Sequence, residues 1–359
     1  MKIALIANSS SGLYNFRRDL ILHMIADGHE VIAVTSLDKR MEQIRDLGVR
    51  IIETKMERRG LNPCLDLSLF IQYLKILKKE KPDQAITYTI KPNIYGGLAC
   101  CMLGISYAGN ITGLGTAFEK KGMLRKIVTI MNRVALKKAK CVFFENAQSL
   151  NLFVDEKIIR KDQAVQLNGA GVNLTHFSYE PYPITEDVRF LFIGRIMKEK
   201  GIDELFGAMR RLISDGYKCA LDLVGSFEEQ YDAQIKQYEK EGWLKYHGYQ
   251  SDVRPFIACA HCFVLPSYHE GMANANLESA AMGRPVITSD IPGCKEAVID
   301  ERSGFLCDVR NTDDLYEKMK KFLHMSRREK EEMGKAGREH MKDVFDKQKV
   351  VGETLKRIY

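Results

Sequence analysis

Two carboxylates stand eight residues apart in the segment HEGMANANLE, separated mostly by small and amide side chains. Glu270 follows an apolar run, 262–266, that predicts a buried strand, and Glu278 lies in a predicted helix, NLESAAMG. Gly271, Ala273 and Ala275 leave backbone N–H groups accessible where that helix begins, and such groups bind phosphate or sugar hydroxyls. Glu278 could accept both hydroxyls of a ribose, while Glu270 could bind a second sugar or stabilise developing positive charge. An isolated pair of glutamates would more simply be two solvent-exposed residues, so this interpretation needs support from other segments.

Cationic side chains follow a second predicted strand, in FLFIGRIMKEKG. Gly194 removes the side chain where the backbone turns, and Arg195 and Lys200 precede a helix that starts near Gly201. A guanidinium, an ammonium and unpaired helix N–H groups together suit a diphosphate. The alternative is that both cations are solvated surface residues. The sequence has no G-x-x-x-x-G-K-[ST], which excludes a P-loop.

Both segments belong to a regular alternation of short apolar runs and amphipathic stretches. The apolar runs are KIALIA, EVIAVTS, VRIIET, QAITYT and CVFFEN in the first half, and RFLFIGR, CALDLVG, LKYHGY, CFVLPS and PVITSD in the second. Strands that alternate with helices predict a parallel sheet covered on both faces. The alternation restarts after SYEPYPITED, whose Pro181 and Pro183 suggest a linker. The sequence therefore predicts an α/β chain of two facing Rossmann-like domains, joined near residue 183.

Ligands of open parallel sheets bind beyond the carboxyl ends of the strands. In this chain that rule selects the loops after Ala7, Thr89, Gly194, Gly225, Gly248 and Pro266. With two facing sheets, we expect these loops to line one cleft between the domains.

The composition is that of a soluble globular protein, with 45% hydrophobic and 28% charged residues in 359. No stretch suits a transmembrane helix, and the first apolar run, 3–7, is too short for a signal peptide, so we expect a cytoplasmic protein. The net charge of +7 is uneven, because residues 1–180 contain 26 lysines and arginines against 17 acidic residues, whereas residues 181–359 contain 28 against 30. The basic half indicates an anionic partner, which could be nucleic acid, a membrane surface or a phosphorylated substrate.

Two segments of the basic half place cations beside apolar residues, SLFIQYLKILKKEKPD and LRKIVTIMNRVALKKAKC. This pattern suits a peripheral approach to anionic lipid on the inner face of the plasma membrane. The alternative for each segment is a core helix with a solvated cationic face.

Cysteine chemistry has little support in the sequence. Nine cysteines are scattered, and the one C-x-x-C, Cys259 to Cys262, has no second pair at zinc-site spacing. We expect reduced thiols that act as small core residues.

In combination, these features resemble the retaining glycosyltransferases of family 4. The resemblance rests on the E-x7-E of Glu270 and Glu278, on Gly194-Arg195 with Lys200-Gly201, and on the segments FVLPSYHEG, GRPVITSDIPGCKEAV and GHEVIAVTS. It covers essentially the whole chain, and NSSSGLYNFRRDLI, TIKPNIYGGLA and TGLGTAFEKKG look most like bacterial enzymes of surface-polysaccharide and capsule assembly. The resemblance implies the GT-B fold, with an acceptor domain at 1–182, a nucleotide-sugar donor domain at 183–342 and a C-terminal helix, about 343–359, that packs back on the acceptor domain.

The resemblance also implies a role for each residue of the site. Arg195 and Lys200 would hold the donor diphosphate and neutralise it as it leaves, and Glu278 would bind the ribose. Glu270 would hold the donor sugar and the α-phosphate together with the backbone of Gly271, Met272, Ala273 and Asn274. The base would be surrounded by Gly225, Tyr249 and Gln250. Gly12, in the loop after the first strand, would let the first domain approach the phosphates, although a simple turn explains this glycine equally well.

The sequence departs from the family at one position. Many relatives have a histidine at the end of the fourth strand that contacts the donor sugar, and Ile90 stands there in ITYTIKPN. Thr89, Lys91 or Asn93 could take its place on the acceptor or donor-sugar side. His269 lies beside the glutamates but belongs to the other domain.

The activity implied is transfer of a hexose or N-acetylhexosamine, with retention of configuration, from a nucleotide sugar that is most often UDP-linked in this family. The acceptor implied is a hydroxyl of an undecaprenyl-diphosphate-linked glycan. No D-x-D is present that could chelate the divalent metal of the other major glycosyltransferase fold. Because fixed cations can stabilise a departing diphosphate, we expect neither a metal nor a cofactor.

Other functions fit less of the sequence. A nucleotide-sugar epimerase could use the same fold and donor site, whereas a phosphorylase of this fold would bring a pyridoxal-phosphate lysine and a much longer chain. An NAD-dependent oxidoreductase is disfavoured because SGLYNF and GLGTAF both fail G-x-G-x-x-G. A nucleic-acid binder would explain the basic half but neither the glutamate pair nor the cationic loop, and no binding motif for nucleic acid is present.

Overall fold

The computed structural model describes residues 1–56, 62–114, 118 and 122–359. The chain forms two compact units, residues 1–170 together with 348–359, and residues 171–347. Each unit contains one parallel sheet with helices in the connections between its strands. This confirms the predicted α/β class and the two Rossmann-like domains.

The first unit alternates strands and helices. Its strands are β1 Lys2–Ile6, β2 Glu30–Thr35, β3 Arg50–Glu53, β4 Gln84–Tyr88, β5 Ser106–Ile111, β6 Cys141–Phe144 and β7 Ala164–Gln166. Its helices are α1 Ser10–Ala26, α2 Met41–Asp46, α3 Pro63–Glu80, α4 Gly97–Leu103, α5 Met123–Leu136 and α6 Ala147–Asp155, with a π-helix, Pro92–Gly96, before α4 and a 3-10 helix, Lys161–Gln163, before β7. The last helix of the chain, α13 Lys347–Ile358, belongs to this unit from residue 348 onward.

The strands of this sheet run in the order β3-β2-β1-β4-β5-β6-β7. Successive residues of the central strand enter cores on opposite faces, so that Ala4 and Ile6 belong to one core while Ile3 and Leu5 belong to the other. A sheet that is covered on both faces needs apolar side chains at every position, which is why continuous apolar runs form the strands here.

The second unit repeats this plan. Its strands are β8 Val188–Ile193, β9 Cys219–Val224, β10 Leu244–Tyr246, β11 Cys262–Leu265, β12 Val286–Ser289 and β13 Gly304–Cys307. Its helices are α7 Ile202–Ser214, α8 Asp232–Lys240, α9 Arg254–Cys259, α10 Asn274–Ala281, α11 Thr312–His324 and α12 Arg327–Val344, with 3-10 helices at Lys198–Lys200 and Lys295–Ala297. The strand order is β10-β9-β8-β11-β12-β13.

The predicted linker lies inside the second unit. The fully buried guanidinium of Arg284 donates hydrogen bonds to the carbonyl oxygens of Glu180 and Pro181, at 3.0 Å each. The hydroxyl of Tyr182 donates to the carbonyl oxygen of His261 at 3.0 Å. Because these bonds attach the residues around the prolines to the second sheet, the units divide after residue 170 and not after residue 182.

Three further features differ from the sequence-based expectation. Strands β5, β7 and β13 were not predicted, and the predicted C-terminal helix, about 343–359, begins only at Lys347, because α12 extends to Val344. Most of the segment TGLGTAFEKKG lies outside the described residues.

Among the described helices, none combines the length and the apolar composition that crossing a membrane requires.

Candidate active site

The two segments with candidate chemistry leave neighbouring strands of the second sheet. FLFIGRIMKEKG continues from β8 and HEGMANAN follows β11, and these strands pair in parallel. The chain order reverses between them, because β9 and β10 lie beyond β8 while β12 and β13 lie beyond β11. Ligands of open parallel sheets bind at such a switch point. The topology therefore brings together two loops that are far apart in the sequence.

Gly201, the N-cap of α7, packs the first loop against the second. Its φ of +72° is left-handed, and a Cβ at this position would come within 2.1 Å of the carbonyl oxygen of Pro266. Only glycine tolerates both conditions. The backbone N–H of Tyr268 also donates to the carbonyl oxygen of Glu199, at 2.9 Å. The backbone alone thus fixes the position of both loops.

Lys200 and Glu270 form an ion pair between these loops. The Lys200 Nζ contacts Glu270 Oε1, and the two side chains expose only 16% and 13% of their surface. The hydroxyl of Ser267 donates to the same carboxylate oxygen at 2.8 Å. Lys200, which was predicted to bind the diphosphate, is therefore paired with Glu270, which was predicted to bind the donor sugar. Because both side chains are largely buried, dissolved salt screens their charges only weakly.

Arg195 lies on the exposed side of the first loop. Its Nη1 is 3.6 Å from Glu228 Oε2, and 49% of its side chain is exposed. Because exposed ion pairs contribute little, Arg195 could exchange this partner for a phosphate at small cost.

Gly194 and Gly225 let the ends of β8 and β9 meet. Gly225 has a φ of +149°, and a Cβ at this position would lie 1.7 Å from the carbonyl oxygen of Gly194. The predicted turn at residue 225 is therefore packed directly against the start of the cationic loop.

Helix α10 begins without a side-chain cap within the described residues, and its N-cap is Ala273. The Ala273 N–H donates to the carbonyl oxygen of Gly293 at 2.7 Å, which fixes the path of the predicted donor-binding backbone, 271–274. Met272 and Ala273 are buried, whereas Gly271 and Asn274 are partly exposed. First-turn N–H groups attract anions, so this backbone leads into a helix terminus that can hold a phosphate or sugar oxygen.

Glu278 lies in the second turn of α10 and has a different environment from Glu270. Burial raises its pKa to about 7, and the positive charge of Lys347 partly opposes this rise. No hydrogen bond or ion pair within the described residues ends on its carboxylate. A carboxyl group in this state can take hydroxyl donors, as its predicted role toward a ribose requires.

The segment predicted to surround the base follows β10 at the same edge of the sheet. Tyr249 is exposed, and the Gln250 Nε2 donates to the carbonyl oxygen of His247 at 2.6 Å. The Gly225 N–H donates to the carbonyl oxygen of Gly248 at 2.8 Å, which ties the end of β9 to this segment.

In the first unit, Gly12 is part of a helix and not of the predicted loop. It is the third residue of α1, and its N–H donates to the hydroxyl of Ser9, the N-cap, at 3.0 Å. Asp38 accepts hydrogen bonds from the hydroxyl of Ser10 and from the N–H and hydroxyl of Ser11 at the same helix terminus. The chain thus places a carboxylate of its own where the resemblance implied an approach to phosphates.

Two of the three candidates for the missing histidine are engaged within the first unit. The Lys91 Nζ lies 2.8 Å from Asp66 Oδ1, and both side chains are largely buried. Asn93 is buried, accepts a hydrogen bond from the Thr87 hydroxyl at 2.6 Å and donates to the carbonyl oxygen of Asn110 at 2.9 Å. These contacts give both residues a structural role in joining β4 to its neighbours.

Thr89 stands apart from the other two candidates. It directly follows β4, has a left-handed φ of +73°, and lies three residues before Pro92, the first residue of the π-helix. Its hydroxyl is buried without a hydrogen-bond partner among the described residues. Strained backbone and π-helical turns both concentrate at functional sites, so Thr89 is the best-supported candidate at this sheet edge.

Sequence reasoning missed Ser267 and Glu228, the partners of Glu270 and Arg195. Ser267 could have been found, because it precedes Glu270 by three residues in the same loop. His269 lies 3.5 Å from Glu199, within the second unit. The described residues contain no cluster of three or more histidine, cysteine, aspartate or glutamate side chains that could hold a metal ion.

Two family models match the chain. "Glycosyl transferase 4-like" matches residues 2–146, and "Glycosyl transferases group 1" matches residues 180–340. The chain is 26% identical over 342 residues to N,N'-diacetylbacillosaminyl-diphospho-undecaprenol alpha-1,3-N-acetylgalactosaminyltransferase of Campylobacter jejuni, which covers 90% of this chain and 89% of that protein. It is 23% identical over 345 residues to the capsular polysaccharide biosynthesis glycosyltransferase CapM of Staphylococcus aureus, with 92% and 89% covered.

The fold is shared with solved glycosyltransferase structures. Anabaena Alr3699/HepE, solved in complex with UDP and glucose, superposes with a TM-score of 0.81 over 99% of this chain and 98% of that chain, at 13% identity. This likeness confirms the predicted GT-B fold class. The two family models between them span most of both units, and the relatives match nearly end to end. The chain is a glycosyltransferase, and its two units match the glycosyl transferase 4-like and group 1 family models.

Proposed function

We propose that this chain is a retaining glycosyltransferase that moves a hexose or N-acetylhexosamine from a UDP-sugar to a hydroxyl of an undecaprenyl-diphosphate-linked glycan in surface polysaccharide biosynthesis. The observation that carries this proposal is the Lys200–Glu270 ion pair at the switch point of the second sheet. The pair brings the Lys200 ammonium group, which can bind a diphosphate, next to the Glu270 carboxylate, which can bind a sugar. Both lie beside the N-terminus of α10, which has no side-chain cap among the described residues. The names of the Campylobacter and Staphylococcus relatives support the acceptor and the pathway, and the UDP and glucose of the Anabaena complex support the donor.

Each residue has a part in the proposed reaction. Arg195 and Lys200 neutralise the diphosphate as the bond between it and the sugar breaks, which is the electrostatic task that a metal performs in other transferases. Glu278 binds the ribose, Glu270 and the backbone from 271 to 274 hold the sugar and α-phosphate, and the segment around Tyr249 holds the base. A phosphate oxygen of the donor accepts the proton of the attacking hydroxyl. The reaction then needs no divalent metal and no cofactor.

We further infer that the first unit binds the acceptor, with Thr89 at its carboxyl edge, and that the second binds the donor. The excess of cations in residues 1–180 supports peripheral association with the anionic, cytoplasmic face of the membrane.

Transfer of labelled sugar from a UDP-sugar to a diphosphate-linked acceptor, with chelator and then with magnesium, tests the proposal. We expect metal-independent transfer and a product with the donor's anomeric configuration. Lys200→Ala should lower kcat by about 100- to 1,000-fold, as removal of an oxyanion donor does, whereas Lys198→Ala, in the same turn, should stay close to wild type. Full turnover of Lys200→Ala would refute the mechanism, and conversion of the free nucleotide sugar without an acceptor would indicate an epimerase instead.

A further inference from the structure

Helix α5 presents a row of apolar side chains to solvent. The row, here called the α5 stripe, consists of Met123, Ile127, Ile130 and Val134, whose exposed fractions are 80%, 48%, 56% and 52%. At the helical repeat of 3.6 residues, these four side chains fall within a sector of roughly 60°.

The stripe is separate from the face by which α5 packs on its own unit. That face contains Val128, Ala135 and Leu136, all of them buried. Single exposed apolar residues are normal on a protein surface, but an aligned row of them marks an interaction site.

Exposed lysines border the stripe on both sides. Lys126, Lys137 and Lys138 are exposed, and no hydrogen bond or ion pair of their side chains occurs within the described residues. The arginines of the helix are used internally instead, because Arg125 pairs with Glu156 and Arg133 donates to backbone carbonyl oxygens at 2.8 and 2.9 Å. The sequence from 122 to 144 contains no aspartate or glutamate.

We propose that the α5 stripe is the docking surface for an anionic lipid bilayer, with its apolar side chains in the interfacial layer and the three lysines on the lipid headgroups. Apolar residues flanked by lysines, without acids, are the chemistry that such a surface binds. A second copy of this chain is a poorer occupant, because a two-fold contact through the stripe would bring the lysines of both copies together.

The position of α5 links docking to the reaction. The helix ends just before β6 begins, and a helix that returns to the start of a parallel strand has its own first turn at the carboxyl edge of the sheet. Met123 therefore lies toward the edge that carries Thr89. This inference rests on the proposed function, because a bilayer-bound acceptor is what gives docking at that edge a purpose.

Sedimentation with vesicles at low salt tests the inference on the full chain, using phosphatidylglycerol-rich and pure phosphatidylcholine vesicles. The double variant Ile127→Gln with Ile130→Gln should bind anionic vesicles about 100-fold more weakly, because the loss of each apolar side chain lowers the affinity roughly tenfold. Ile184→Gln is the matched control, because Ile184 is 78% exposed but lies in the second unit, and it should bind like wild type. Replacing the three lysines by glutamine should weaken binding to the anionic vesicles roughly fivefold per residue.

A soluble, short-chain acceptor separates this inference from the proposed function. The stripe variant should retain wild-type transfer to that acceptor and a wild-type melting temperature. Equal vesicle binding by the stripe variant and wild type, or no binding by wild type, would overturn the inference. A dimer that the stripe variant dissociates, seen by light scattering, would assign the stripe to a second copy. Failure of wild type to use the soluble acceptor would instead count against the proposed function.

Discussion

The two glutamates of the E-x7-E segment have opposite electrostatic environments. Glu270 accepts a hydrogen bond from Ser267 and pairs with Lys200, whereas Glu278 is partly buried and its desolvation raises its pKa to about 7. Their spacing therefore does more than put two carboxylates on one ligand. It gives the site one carboxylate that is already neutralised by a partner and one that a bound diol would help to ionise.

The raised pKa of Glu278 predicts a pH-dependent effect of its replacement. The folded state holds this proton more tightly than the unfolded chain, where the pKa is near the ordinary 4.5, so Glu278 lowers stability as pH rises from about 4.5 to about 7. Glu278→Gln stays neutral and should escape this loss. In urea unfolding, its advantage over wild type should be near zero at pH 4.5 and grow to at most about 3 kcal/mol above pH 7. The same replacement should weaken UDP binding at pH 8. A stability difference that does not change between pH 5 and 8 would show that the carboxyl group is not shifted.

Sequence alone predicted residues for this candidate site but not how they pair with one another. Lys200 and Glu270 were predicted to bind different parts of the donor, and their direct contact depends on the adjacency of β8 and β11, which no local pattern encodes. Gly12 was misplaced for a related reason. The polar run NSSS suggested a loop, but Ser9 caps α1, so the helix already includes the glycine.

At the scale of elements, Gly201 determines where the cationic loop lies. Alanine at this position would combine a left-handed φ with a contact to the Pro266 carbonyl oxygen. Gly201→Ala should therefore destabilise the chain by about 3 kcal/mol or more and lower kcat, because Lys200 is its neighbour. Gly216→Ala is the matched control, since Gly216 has a φ of +82° with no atom near its added Cβ, and it should cost only about 1–2 kcal/mol. Equal destabilisation of both variants in urea unfolding would show that the contact with the Pro266 carbonyl oxygen does not contribute to the effect of Gly201→Ala.

Strands that consist of a continuous apolar run were predictable from the sequence. Strands that form mainly because adjacent strands pair with them were not. Strand β5, SYAGNI, contains a glycine and an asparagine, both of which disfavour strands, yet it forms because β4 and β6 pair with it on either side. A Cβ at Gly109 would come within 2.9 Å of the end of the Leu136 side chain on α5. A residue that looks like a strand breaker in the sequence thus leaves room for a side chain of the helix above it.

At the scale of the whole molecule, the division into units predicts which fragment can fold. A fragment spanning 171–347 keeps the carbonyl oxygens that accept from Arg284 and, at Leu174 and Phe177, from Arg338. A fragment spanning 183–347, cut at the apparent proline linker, lacks these acceptors. The guanidinium groups of Arg284 and Arg338 then lose these hydrogen bonds, which lowers the free energy of unfolding by several kcal/mol. We expect cooperative thermal unfolding and UDP binding for the first fragment only. Comparable folding of the shorter fragment would place the boundary back at the prolines.

Two units and their sheets were predictable from the alternation of strands and helices, whereas their boundary was not. The pair of prolines looks like a linker in the sequence, but the side chain that attaches this stretch, Arg284, comes from about a hundred residues later. The assignment of residues 348–359 to the first unit likewise depends on which core α13 joins, where Val350 and Ile358 are buried.

The lysine–glutamate pair gives the donor site a counter-ion of its own, with a consequence for turnover. In the proposed reaction, a nucleotide sugar enters by exchange, because Lys200 turns to the diphosphate while the sugar hydroxyls take over Glu270. Once the sugar has been transferred, Glu270 has lost those hydroxyls and competes with the spent nucleotide for the ammonium group. The site would then hold the intact donor more tightly than the leaving nucleotide, which favours product release and limits inhibition by product.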